Sequence, residues 1–280
     1  MSKFFDETLR VRNGEVPTLV PESVTVSDAI ESPLDQKESI GEFVECEEVQ
    51  RPKLAISLSS LLLEKFKGSK SLDAAQEAYR SLRTRLLRMR QERELGSVVI
   101  TSAVQGEGKT LTALNLAMCC AQLHDMSILL IDADIRTRGM SRLLGSPSGP
   151  GLCEVITGES ELDQAVYATD VPNLSFLGTG SATALPTEIL ASKRFQENIS
   201  RCSQKFKLVL VDSPPILNLA DVELITAACD GILMVVRAQG TQREVLSKSA
   251  SQLDSKKLLG AVYNASESLQ KQYKYTYGGS

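Results

Sequence analysis

Tryptophan is absent from this chain, histidine occurs once, and aromatic side chains make up 5% of the residues. The single His124 falls at the end of a helical stretch, where imidazole meets open carbonyls, and it is assigned no catalysis. Positive charge is not in excess. The formal net charge is −4, which gives no bulk attraction to nucleic acid. The six cysteines lack metal-ligand spacing, and Cys119 and Cys120 stand side by side in an apolar helical run. This usage fits a reduced, cytoplasmic protein. No apolar run is long enough to span a bilayer, and Met1 to Arg10 lacks the basic-then-apolar order of a secretory signal. Membrane association therefore has to come through a partner. Internal repeats are also missing.

What is present divides unevenly along 280 residues. Residues 1–60 carry twice as many acidic as basic side chains, four prolines and weak periodicity, and are expected to be a largely disordered acidic extension. A short apolar patch, Leu58 to Leu63, is the one candidate docking helix there. Residues 61–280 form the expected folded domain. An arginine-rich helix is predicted over 72–94, with Ala75, Tyr79, Leu82, Leu86 and Met89 in one stripe. Glu77, Arg80 and Arg83 lie on another face, roughly opposite, about 60° apart from one to the next.

From Ser97 onward, apolar β-branched runs alternate with helical stretches. Strands are predicted at Val98–Thr101, Ile128–Ile131, Leu208–Val211, Ile232–Val236 and Leu258–Val262, with a weaker one at Leu174–Leu177. Helices are predicted at Thr110–Leu123, Glu188–Cys202, Asp221–Ala228 and Arg243–Leu253. Strands of nearly continuous apolar character imply burial on both faces, hence an α/β, doubly wound, mostly parallel sheet. Ligands of such sheets sit beyond the carboxyl ends of the strands.

Directly after the first strand runs Ala103-Val104-Gln105-Gly106-Glu107-Gly108-Lys109-Thr110. This is the P-loop form with alanine for its first glycine. Gly106 and Gly108 let backbone approach phosphate, and the helix that follows offers open N–H groups. Gly106, Glu107, Gly108, Lys109 and Thr110 form the predicted phosphate-binding set, with Lys109 on the β- and γ-phosphates and the Thr110 hydroxyl on Mg²⁺. Two further strands end in aspartate: Ile131 runs into Asp132-Ala133-Asp134-Ile135-Arg136, and Val211 into Asp212-Ser213-Pro214-Pro215. A carboxylate at a buried strand tip requires a cation, and nucleotide-bound Mg²⁺ supplies one. On an extended segment Asp132 and Asp134 share a face that Arg136 continues. Arg136 then either neutralises the pair, meets phosphate, or makes a structural salt bridge.

The last eight residues hold Tyr273, Tyr275 and Tyr277, half of the chain's six tyrosines. They are read as phosphate acceptors; an edge strand or an aromatic stacking surface is the plainer alternative. From Asn264 to Tyr275 the extended chain reaches at most ~40 Å, enough to enter a neighbouring subunit's site.

Together these residues resemble the bacterial tyrosine kinases of capsule and exopolysaccharide synthesis, in the form without a fused membrane domain. The resemblance covers roughly residues 72–280. Gly108-Lys109-Thr110 is similar to the family's Walker A motif, Asp132-x-Asp134-x-Arg136 to its Walker A′, Asp212-Ser213-Pro214-Pro215 to its Walker B, and Glu77-x-x-Arg80-x-x-Arg83 to its oligomerisation motif. It implies ATP and Mg²⁺ as cofactors. It implies that Thr110, Asp212 and Asp132 organise the metal, Asp212 through water. Asp132 becomes the base that orients the acceptor tyrosine, and Asp134 supports metal or phosphate charge. It further implies a homo-oligomeric ring, flexible tyrosine tails over 265–280 that serve the next subunit, and a separate transmembrane activator of the polysaccharide co-polymerase type. Sugar-processing enzymes are implied as external substrates, and the implied place is peripheral, at the inner membrane. Two departures stand out: Lys274 and Thr276 interrupt the tyrosine run, and the acidic extension lies outside the family pattern.

The competing reading is a partition- or septum-type ATPase switch without kinase activity. Such proteins carry a lysine directly after the first P-loop residue, where this chain has Val104, and they lack a tyrosine cluster. A regulator that binds nucleotide without catalysis is a second alternative, which the intact motifs disfavour.

Overall fold

The computed structural model describes residues 71–265, apart from 146–148, 182, 184, 218–219 and 239. The acidic extension, the Leu58–Leu63 patch and the tyrosine tail lie outside the described residues.

A seven-stranded sheet organises the chain in the order β3-β4-β2-β5-β1-β6-β7. Its strands are β1 (Ser97–Ser102), β2 (Ile128–Asp132), β3 (Val166–Ala168), β4 (Leu174–Leu177), β5 (Leu208–Asp212), β6 (Gly231–Arg237) and β7 (Leu258–Asn264). All neighbours pair in parallel except β3, which runs antiparallel to β4 at the edge. The predicted strands are all present. The three-residue β3 was not predicted, because Val166-Tyr167-Ala168 is too short to carry a period.

Strand residues divide alternately between two cores, as period-two geometry requires. Ile128 and Leu130 pack on one face and Leu129 and Ile131 on the other, all buried. The first face is covered by α1 (Ser71–Arg93), α2 (Lys109–Ala121) and α3 (Gly139–Leu143). The second is covered by α4 (Leu152–Thr157), α5 (Leu162–Ala165), α6 (Pro186–Ala191), α7 (Lys193–Lys205), α8 (Ala220–Ala228) and α9 (Arg243–Ser251). The short α3, α4 and α5 carry too few turns for a sequence period.

Two expectations need correction. The helix predicted over Glu188–Cys202 is two helices. Ser192 leaves the helical region at φ −68°, ψ 145° and caps α7, its hydroxyl oxygen accepting from the Phe195 N–H. The extended face expected for Asp132, Asp134 and Arg136 is also absent, because β2 stops at Asp132 and residues 135–137 form a turn.

On α1 the apolar stripe packs as predicted, with Leu86 buried and Tyr79, Leu82 and Met89 partly so. Glu77 and Arg80 are exposed and joined by an ion pair at 3.3 Å. Arg83 is different. Its position on the flank of the helix, rather than opposite the stripe, lets it donate to the Cys119 carbonyl of α2 at 2.7 Å.

Candidate active site at the carboxyl edge of the sheet

Parallel strands β2, β5 and β1 end side by side, and everything chemically active gathers at their tips. Asp132 and Asp212 are register partners on β2 and β5. Both are fully buried, and Asp134 is 1% exposed. Between β1 and α2 the phosphate loop turns through two left-handed glycines, Gly106 at φ 86° and Gly108 at φ 92°. A Cβ on Gly108 would stand 2.1 Å from the Asn264 amide nitrogen, so only glycine fits this turn on both steric and dihedral grounds.

Lys109 opens α2 and crosses the loop to the acidic strand ends. Its Nζ lies 3.1 Å from Asp134 Oδ2 and 3.6 Å from Asp212 Oδ1, and it donates to Thr110 Oγ1 at 3.3 Å. One ammonium thus bridges two buried carboxylates, in the place where the predicted phosphate-binding lysine belongs.

The three aspartates differ in how well they are satisfied. Asp132 is fully engaged: Ser141 donates to Oδ2 from its N–H and its hydroxyl, both at 2.7 Å, and the Asp134 N–H donates to Oδ1 at 3.2 Å. Burial still pushes its carboxyl up to about 6, against the pull of the Ser141 bonds. Asp134 accepts from the Thr137 N–H at 3.0 Å, which ties it to the turn after β2. Asp212 accepts no hydrogen bond at either oxygen among the described residues. Burial pushes it up to about 7, with Lys109 pulling it down and Asp132 pushing it further up.

A fully buried carboxylate whose nearest cation, Lys109 at 3.6 Å, stands beyond hydrogen-bond reach is costly. That orphaned group, beside the Thr110 hydroxyl, fits a hard oxygen-seeking cation. The described residues hold no ready-made cage of three His, Cys, Asp or Glu ligands. Mg²⁺ suits such a place, since it takes one or two protein carboxylates and completes its shell with waters and nucleotide phosphate. Asp132, with its oxygens already committed, is less available for direct ligation than the sequence implied.

Two members of the predicted set have side chains bonded within the protein. Glu107 turns inward, 2% exposed, and its carboxylate accepts from the Val104 N–H at 2.9 Å, the Arg237 N–H and the Thr241 hydroxyl, which shapes the loop from within. Arg136 pairs with Asp221 of α8 at 2.6 Å and donates to Thr187 at 2.8 Å. The salt bridge is one of the three readings left open for it. Sequence reasoning missed Ser141, Asp221, Thr241 and Asn264. Each reaches the site from a distant element, and none belongs to a motif.

Geometry of this kind, a lysine-bearing phosphate loop facing aspartate-tipped neighbouring strands, defines a P-loop nucleotide-binding protein. The AAA domain family model matches residues 97–255. The tyrosine-protein kinase YwqD of Bacillus subtilis (strain 168) is 36% identical over 213 residues, covering 75% of this chain and 88% of that protein. CpsD of Streptococcus agalactiae, also a tyrosine-protein kinase, is 31% identical over 192 residues, covering 68% of this chain and 82% of its own. Among solved structures, the kinase domain of the Escherichia coli tyrosine kinase ETK aligns with a TM-score of 0.64 and 29% identity, over 68% of this chain and 75% of that one. The cell division ATPase MinD of Pyrococcus furiosus, at 22% identity and TM-score 0.51, shares the fold. The chain belongs to the bacterial tyrosine kinases, a protein-tyrosine kinase branch of the P-loop proteins. It spans 27% of the length of the Salmonella typhi relative wzc. No helix among the described residues is long and apolar enough to cross a membrane.

Proposed function

We propose that this protein is an ATP- and Mg²⁺-dependent tyrosine autokinase that phosphorylates Tyr273, Tyr275 and Tyr277 of a neighbouring subunit's tail. The observation that carries the reading is Lys109 held between Asp134 and Asp212 at the mouth of the phosphate loop. Lys109 is placed to meet nucleotide phosphates there, and Asp212 and Thr110 would hold the magnesium. When bound, the metal neutralises charge that develops on the transferring phosphoryl group. Asp132 is fixed in one orientation by Ser141, and its raised pKa suits a group that accepts a proton near neutral pH. In the reaction the phenolic oxygen bonds to the γ-phosphorus, the bond from that phosphorus to the β–γ bridging oxygen breaks, ADP departs with the electron pair, and the phenolic proton passes to Asp132.

Exposed Glu77 and Arg80 on α1 are the surface assigned to subunit contact, in a ring that presents each tail to the next site. Arg83, bound to α2, belongs first to the fold of its own chain. Family membership supports a role in exopolysaccharide or capsule synthesis, a peripheral place at the inner membrane, a transmembrane activator of the co-polymerase type, and sugar-processing enzymes as further substrates. Residues 1–60 are assigned to an acidic extension and 61–280 to the kinase domain. The partition-type reading is disfavoured by Val104, since the backbone there is bonded to Glu107 and its side chain offers no charge to a partner's nucleotide.

The test is mass spectrometry of the tail after incubation with ATP, Mg²⁺ and the activator's cytoplasmic segment. Phosphate on the three tyrosines is expected; hydrolysis with an unmodified tail counts against the kinase.

A further inference from the structure

Beside the catalytic aspartates lies an open pocket of about 570 Å³, lined by Arg136, Thr137, Arg138, Ser141, Arg142 and Gly145. Three of the six are arginines and none is acidic. Among the described residues, two of the guanidinium groups meet no carboxylate. Arg138 donates to the Thr179 hydroxyl and the Gly180 carbonyl, neutral acceptors that fix it without cancelling its charge. Arg142 is exposed, and its guanidinium has no partner among the described residues. Among the described residues Arg136 alone of the three meets a carboxylate, Asp221.

The pocket shares its wall with the reaction centre. Ser141 holds Asp132, and the Thr137 N–H holds Asp134. A Cβ on Gly139 would come within 3.8 Å of the Thr110 hydroxyl, so α3 starts against the metal side of the phosphate loop. An anion in this pocket would therefore flank a tyrosine placed at Asp132.

The tyrosine-bearing end of the unmodified tail, beyond Glu267, has no acidic side chain to supply that anion. From Ser268 to Ser280 it contains two lysines and no acidic residue. Its tyrosines alternate, and residues two apart on an extended strand lie on one side about 6.6 Å apart. A phosphate already placed on one tyrosine would sit one such step from the next phenol. Arginine forks match phosphate oxygens, and each charge-assisted bond is stronger than a neutral one.

We propose that the Arg138–Arg142 pocket is a phosphotyrosine subsite, which holds one modified tail tyrosine while its neighbour enters the catalytic position. This rests on the tail being the acceptor. The first modification is then slow and each later one is favoured, so tails pass from unmodified to multiply modified with little singly modified species.

Two measurements separate this from the kinase reading. The first is binding without catalysis. A fluorescent peptide of residues 268–280 carrying phosphate on Tyr275 is titrated against nucleotide-free protein, beside the unmodified peptide. The phosphopeptide is expected to bind roughly tenfold or more tightly, as for one or two charge-assisted bonds. Arg142→Ala should erase that difference and Arg142→Lys restore part of it. Equal affinity for the two peptides, or a preference that survives Arg142→Ala, overturns the subsite even if the protein is an active kinase. The second is a time course of tail species by mass spectrometry. Arg142→Ala should accumulate singly modified tails with the first addition unchanged; a wild-type time course that follows independent, equal additions overturns the proposal. Weakened ATP binding in Arg142→Ala without loss of phosphopeptide preference would assign the arginine to nucleotide instead, and would also overturn it.

Discussion

Asn264, the last residue of β7, donates from Nδ2 to the carbonyl of Glu107 in the phosphate loop at 2.8 Å, across 157 positions of sequence. The chain leaves the sheet at that contact, so the tail departs from the edge of the nucleotide site. The same amide nitrogen would collide with any side chain at position 108. Gly108→Ala is therefore expected to abolish nucleotide binding, through the clash and the left-handed backbone together. Asn264→Ala removes the clash alone and a hydrogen bond worth about 1 kcal/mol. The double variant should stay impaired because the backbone strain remains. Calorimetric titration with ATP and Mg²⁺ checks all three.

Lys109→Met and Asp132→Ala should each abolish tail labelling, by at least roughly a hundredfold, with circular dichroism unchanged. They should part in stability. The lysine change leaves Asp134 and Asp212 buried without their cation, whereas the aspartate change leaves neutral donors unmatched, the Ser141 N–H and hydroxyl and the Asp134 N–H. Labelling that survives Lys109→Met would undo the assignment of the site.

Asp212→Asn should raise the melting temperature of the nucleotide-free protein and remove the stabilisation that Mg²⁺–nucleotide confers. The sign follows from linkage. The carboxyl's folded value is raised to about 7, above its unfolded value, so its favourable contribution is present below the unfolded value and is lost as pH rises through about 7. The gain from Asn is thus largest at pH 8 and smallest near pH 4. Melting curves across that range, with and without Mg²⁺–nucleotide, give the answer; a variant less stable than wild type at pH 8 contradicts it.

Asp221 titrates in the opposite sense. Burial alone would raise its carboxyl, but hydrogen bonds from Arg136 and Thr187 outweigh burial and hold it below the usual carboxylate range. Its stabilisation is present above the unfolded value and lost as pH falls through the folded one. Asp221→Asn should cost about 1–3 kcal/mol at pH 7, with the gap to wild type closing in acid. Urea melts at pH 7 and pH 3 make the comparison.

Arg80→Ala and Arg83→Ala separate assembly from folding. The Arg80 pair is exposed and adds little to stability, so its loss should lower the oligomer mass in light scattering and leave the melting curve in place. Arg83→Ala breaks the bond to Cys119 O and should cost about 1–2 kcal/mol. Each phosphotyrosine adds about −1.5 to −2 charge, and the proposed ring is expected to loosen as tails are modified. Equal masses at every modification level would end that idea.

The sheet was legible because its strands are buried on both faces and read as unbroken apolar runs, Ile128–Ile131 and Leu208–Val211 above all. The phosphate loop was legible because its work is done by neighbours in sequence. What escaped is what depends on tertiary approach. Strand periodicity groups Arg136 with Asp132 and Asp134, but the strand ends at Asp132, two residues before Asp134 and four before Arg136, so the period does not apply. Glu107 sits between two glycines of the loop, and nothing in the sequence reveals that Thr241, 134 positions away, draws its carboxylate inward. Ser141 lies nine residues beyond Asp132 and reaches it only because α3 folds back over the strand tip. Asn264 gave no signal at all, since a terminal strand residue resembles any other.

Asp132 stands level with Asp212 across the hydrogen bonds of β2 and β5. A slip of one residue between those two ribbons would turn one carboxylate to the far side of the sheet while leaving both hydrophobic layers filled with much the same aliphatic side chains. Packing alone would scarcely notice the error; the nucleotide would. Affinity for nucleotide is thus a proofreading signal for how the centre of the molecule has zipped together, and a misaligned chain would present itself as a folded protein that binds none.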